Sequence, residues 1–119
     1  MNYTVTNVPL KKLNTYDTSK RKCEHHKFVD DTEFMMYTIT KCKKETAFVF
    51  DPEDFDVVNG HEWYSRGNGT TIYYTGRHGN TLLEIYLIKV IQNKHYPGEI
   101  VVFVESGKPD FRKSNLTVI

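Results

Sequence analysis

The side chains in this sequence best suited to hold a metal are Cys23, His25, His26 and Cys42. Cys23 and His26 stand in Cys-x-x-His spacing, and thiolate and imidazole are the donors a tetrahedral structural zinc prefers. A zinc held by Cys23, Cys42 and His25 and/or His26 is therefore expected, with His25 or His61 as the fourth ligand. It would pin a polar N-terminal third that has few apolar residues to bury. The same residues also fit two unrelated thiols and solvated histidines, because paired Cys-x-x-Cys knuckles are missing.

A second group, Asp51, Glu53, Asp54 and Asp56, reads as the solvated first turn of a helix, where acids complement the helix dipole, in preference to a metal site. Lys20-Arg21-Lys22 and Lys41, Lys43 and Lys44 form a basic patch that either touches phosphates or solubilises the surface. His61 and His78 are loop histidines with no Ser or Cys in a nucleophilic context. Trp63, Tyr73 and Tyr74, with Tyr64 and Tyr86, offer aromatic surface for a protein interface, half of it expected in the core. Trp63, Tyr73, Tyr74, Lys43 and Lys44 are the expected partner-binding residues.

These groups need elements to position them. Residues 1–32 are polar and suggest an irregular N-terminal arm. Residues 34–40 and 47–51 are rich in β-formers around Lys41-Cys42-Lys43-Lys44-Glu45, which predicts a hairpin. Asp51 as cap, Pro52 at the first helical position and Asn59-Gly60 as stop predict a short helix through Val58. After Arg66-Gly67-Asn68-Gly69, residues 70–75 alternate as a strand, and Gly76-Arg77-His78-Gly79-Asn80 supplies a turn. Residues 81–92 fit a buried helix, or a strand followed by a helix. Residues 100–105 read as a strand, 106–110 as a turn, and 111–119 as a short helix at 112–115 before a terminal strand. The expected class is α+β: a small antiparallel sheet of hairpins with two or three short helices in a single domain.

Three blocks carry a family signal. The first runs from Phe48-Val49-Phe50-Asp51-Pro52-Glu53-Asp54 to Val58 and on to His61-Glu62-Trp63-Tyr64. The second is Thr81-Leu82-Leu83-Glu84-Ile85-Tyr86-Leu87-Ile88, and the third is Asp110-Phe111-Arg112-Lys113-Ser114-Asn115-Leu116. They resemble, in order, the "DxEDxxxVxxxxWY", "TIYLHRLI" and "DNRKSNL" blocks of phage HNH homing endonucleases, over residues 45–119. The resemblance implies a ββα-like C-terminal half.

It also implies where chemistry would sit. An HNH nuclease needs a histidine to deprotonate water and a cation to stabilise the phosphate. The family's Asp-His pair falls on Val102 and Phe103, its His and Arg on Ile85 and Tyr86, and its Asn on Phe111. Ile85, Val102, Phe103 and Phe111 can neither move a proton nor bind a hard cation, so the resemblance is to a nuclease without catalytic residues. Asp110, Arg112, Ser114 and Asn115 remain, and these also suit a turn and helix cap. His78 or His95 would have to replace the base in an active enzyme, and their spacing does not support it.

Composition bounds the rest. Lys+Arg number 16 and Asp+Glu 15, a net charge of +1, so no global basic field draws the chain to nucleic acid. No stretch approaches a membrane span, Met1-Asn2-Tyr3-Thr4 opens no signal-peptide pattern, and reduced cysteines in a bacterial host cytoplasm are expected. The expected function is non-catalytic: a phage-type inhibitor of a bacterial defence nuclease, foremost an anti-CRISPR protein on a type II effector. The alternative is an inactive HNH-derived DNA-binding module or regulator. The expected partner is the CRISPR effector or another defence nuclease, with nucleic acid as a further contact, no membrane, and a monomer.

Overall fold

A computed structural model describes residues 3–13, 19–67 and 70–119. The fold is α+β, with antiparallel sheets and two short helices. The first sheet has four strands in sequence order: β1 (Tyr3–Val8), β2 (Lys20–Phe28), β3 (Glu33–Lys41) and β4 (Lys44–Phe50). The irregular arm expected over residues 1–32 is thus corrected, because 3–8 and 20–28 are paired strands with Cys23 opposite Tyr37. The β3–β4 hairpin is present, and Cys42 and Lys43 turn it at φ of 53° and 66°. Two consecutive left-handed residues are what a two-residue hairpin loop demands.

The inward face of this sheet is apolar along the middle of β3 and at the end of β4, with Cys23 of β2 beside them. Cys23, Met35, Tyr37, Ile39, Phe48 and Phe50 point inward, as the two-residue period of a strand requires. The far edge, β4, is closed by a distant segment: Val49 N–H donates to Pro109 O at 3.0 Å and Phe111 N–H to Val49 O at 2.8 Å, a parallel bridge.

The predicted helix after Asp51 spans the expected residues, but its first turn is tighter. A 3-10 turn (Pro52–Asp54) leads into one turn of α1 (Phe55–Val58). Asp51 does not cap it, because its Oδ2 accepts Lys113 N–H at 2.8 Å instead. Trp63 is fully buried and its indole N–H donates to Val58 O at 2.8 Å, which fastens the helix end to the core.

The second sheet comprises β5 (Tyr64–Arg66), β6 (Thr71–His78) and β7 (Thr81–Tyr86), followed directly by α2 (Leu87–His95). The turn falls at Gly79-Asn80, later than expected, with Gly76, Arg77 and His78 still in β6. At Gly76 a Cβ would meet Ile85 Cδ1 at 3.1 Å, a tight contact from which the Ile85 side chain would have to draw back. Asn68 and Gly69 of the expected break, like Met1 and Asn2, lie outside the described residues. A two-stranded ribbon, β8 (Val101–Phe103) with β9 (Leu116–Val118), completes the chain after a 3-10 turn (Lys113–Asn115). The short helix expected at 112–115 is this 3-10 turn, and the terminal strand follows it as expected. Among the described residues no helix is long and apolar enough to cross a membrane.

Candidate functional site

The four expected metal ligands are not brought together. Cys23 lies in the core and Cys42 in the hairpin turn, five positions beyond Tyr37, the partner of Cys23. At about 3.3 Å per residue that is roughly 16 Å along the sheet, against Zn–S bonds of about 2.3 Å. His25 and His26 are neighbours on one strand and therefore face opposite sides. His25 Nε2 lies 3.6 Å from Glu33, and His26 stacks between Tyr3 and Phe34, with centroids 6.1 and 4.8 Å away. His61 stacks on Tyr74 at 4.0 Å. Among the described residues no three His, Cys, Asp or Glu side chains converge as a metal set.

The cysteines differ in chemistry as well as place. Burial, reinforced by the Glu24 charge, pushes the Cys23 thiol from its ordinary value near 9 up to about 11. Cys42 is exposed. Native protein at pH 8 is expected to show one thiol reacting promptly with an alkylating reagent and a second reacting only on denaturation. Equal, rapid labelling of both, read by mass spectrometry, would contradict the placement of Cys23. Because its folded value is raised, the Cys23 contribution to stability is intact below pH 9 and is lost as pH climbs towards 11.

The acidic group is not a solvated turn throughout. Asp54 is completely buried, and its Oδ1 lies 2.6 Å from His95 Nε2 and 3.3 Å from Lys94 Nζ, while Oδ2 is buried with no partner. Lys94 also reaches Asp56 Oδ1 at 2.7 Å and the Glu53 carbonyl. Hydrogen bonding from Lys94 holds the Asp56 carboxyl below its ordinary range. A buried carboxylate at an imidazole is an arrangement also used to orient a catalytic base. Here it ties the turn after β4 to the last turn of α2. The sequence reading missed it because Asp54 and His95 are 41 residues apart, and no local pattern links them.

The positions that the resemblance assigns to chemistry are held by packing. Phe111 is 1% exposed and meets Phe48 and Phe103 edge-on at 5.9 and 5.4 Å. Ile85 lies against Gly76, and Val102 and Phe103 are half-buried in β8. The surviving polar residues of that block build a turn. Arg112 grips Asp110 with two bonds at 2.9 and 2.8 Å, and Asn115 accepts from Glu105 N–H and donates to the carbonyls of Asp110 and Glu105. Burial raises the Asp110 carboxyl, but the bonds from Arg112 outweigh it and the net direction is downward.

The expected partner-binding residues divide. A groove of about 880 Å³ runs between the β3–β4 hairpin tip and the β5–β6 strands, with Arg21, Lys41, Lys44, Tyr64 and Tyr73 in its wall. Tyr73 and Lys44 thus meet, and exposed Lys43 caps the hairpin beside them. Trp63 reaches the wall from the core, and Tyr74 turns inward, its ring 5.1 Å from that of Trp63, so neither is an exposed anchor. The outer face of the second sheet is a tyrosine ladder, Tyr64 beside Tyr73 beside Tyr86, with centroids 5.8 and 6.2 Å apart. Arg66 lies 4.7 Å over Tyr73 and is clasped by Glu84 through two bonds of 2.9 Å. That pairing raises the Arg66 guanidinium and lowers the Glu84 carboxyl.

Comparison with protein-family models, characterised proteins and solved structures finds no match to this chain.

Proposed function

We propose that this protein is a non-catalytic binding protein on an HNH-endonuclease-like scaffold, acting as an inhibitor of a bacterial defence nuclease of the type II CRISPR class. The observation that carries the reading is the aromatic packing at the expected catalytic positions: Phe111 is a core side chain wedged between Phe48 and Phe103. Groups that would activate water are replaced by groups that stabilise the fold. The contact site in this reading is the groove walled by Tyr64, Tyr73, Arg21, Lys41 and Lys44, which combines the aromatic and cationic residues enriched at interface hot spots.

One observation favours the alternative, an inactive DNA-binding module. The outer face of the three-stranded sheet carries Arg66 and Arg77 among its tyrosines, and antiparallel strands fit the major groove. The two readings part on salt. A duplex held by about 6–10 phosphate contacts loses roughly 10³–10⁵ in affinity between 50 and 200 mM salt, whereas an aromatic protein interface keeps most of its affinity. The expected result is binding to a type II effector that persists over this range, falls at least ~10-fold in Tyr64→Ala with Tyr73→Ala, and comes with no cleavage of supercoiled plasmid in magnesium or manganese. Tight, salt-sensitive binding to free duplex would move the function to the DNA reading. Cleavage that disappears in a point variant of this chain would overturn both.

A further inference from the structure

The two edges of the four-stranded sheet are treated differently. The chain covers β4 with residues 109–111, but among the described residues nothing pairs with the outer side of β1. Natural edge strands are usually guarded by a charge, a proline or a bulge against pairing with another chain. β1 reads Tyr-Thr-Val-Thr-Asn-Val: it has none of these, and most of its residues are strong β-formers. The charges sit one strand further in, where β2 carries Lys20, Arg21, Lys22, Glu24 and Lys27. That order is the reverse of a sheet built to end at β1.

We infer that the outer edge of β1 pairs with β1 of a second copy of this chain about a two-fold axis, which joins two four-stranded sheets into one of eight. The alternation of side chains selects the register. Residues directly opposite in an antiparallel pair share a face, so a symmetric pairing must be centred on a residue. Centring on Val5 sets Val5 against its own copy, Thr4 against Thr6, and Tyr3 against Asn7. Tyr3 and Val5 are 41% and 42% exposed and lie on one face, so this register gathers the strand's open apolar surface around the axis. No charge opposes a like charge, and Val–Val and Thr–Thr are favourable cross-strand pairs. The contact is isologous and closes at two copies. The monomer expected from the sequence had no edge strand to consider.

The test uses the full chain in sedimentation equilibrium over a wide concentration range. The parent should move from 14.0 kDa to twice that mass. Thr4→Glu with Thr6→Glu places Glu against Glu across the axis, while within each chain the new acids lie beside Lys27 and His25, their β2 partners. The dissociation constant should rise roughly tenfold or more. Thr4→Glu with Thr6→Lys places opposite charges across the axis and should restore most of the association. Its recovery also shows that the shared Thr4→Glu change leaves the fold intact. A parent that keeps the single-chain mass throughout would overturn the inference and leave β1 to a strand from a different protein. A dimer indifferent to both double variants would overturn it in favour of another face.

Discussion

Asp54→Ala should lower stability by about 3 kcal/mol, within the range for breaking a buried ion pair by removing one partner. For a chain of this size that is a fall in melting temperature of roughly 10 °C. The argument is geometric: the carboxylate is fully buried, and Oδ1 binds both His95 and Lys94. Alanine leaves the His95 ring, already largely buried, without its partner, and releases the turn after β4 from α2. Asp54→Asn keeps the shape and an acceptor for His95 and should cost clearly less, so the pair of variants separates charge from packing. A melting curve for Asp54→Ala within about 2 °C of the parent would show that the cluster does not hold these elements together.

Phe111→Asn, which installs the residue found at this place in the HNH block, should cost about 4 kcal/mol or more. Removing a buried phenyl ring costs about 3–5 kcal/mol through lost transfer energy and cavity, and the new amide must be desolvated among Phe48, Phe103 and the β4 backbone. Against a total stability of about 5–15 kcal/mol this threatens the native state itself. Phe111→Leu keeps the position apolar and should cost much less. If Phe111→Asn melted with the parent, the aromatic cluster would not be what the phenyl ring at this position serves.

What could be seen in the sequence beforehand depended on how far the causes were spread along the chain. The β3–β4 hairpin was legible because two β-forming runs flank a lysine-rich turn, although the left-handed Cys42 and Lys43 carry no glycine or asparagine signal. Residues 81–92 left two possibilities open, and the structure takes the strand and then the helix. β2 was illegible, because its outward face is charged and its inward face holds Arg21, Cys23, His25 and Lys27, so no apolar alternation marks it. The zinc set failed for a related reason: Cys-x-x-His spacing closes on a turn or helix, but a strand carries its residues apart. The tyrosines held an unused signal. Tyr73 and Tyr74 are adjacent in a strand, so only one can join the outer ladder while the other must turn in. The Asp54–His95 contact had no local signal at all.

The stitching of residues 109–111 onto β4 governs the order in which the molecule can be completed. During synthesis the first sheet leaves the ribosome with its β4 edge bare and Phe48 lacking the ring that later covers it. Roughly sixty further residues must follow before Phe111 arrives. Such long-range closure slows folding and leaves an open strand exposed in the interval. A released chain truncated before Phe111 should therefore be a client for chaperones, and one that ends after Leu116 should not.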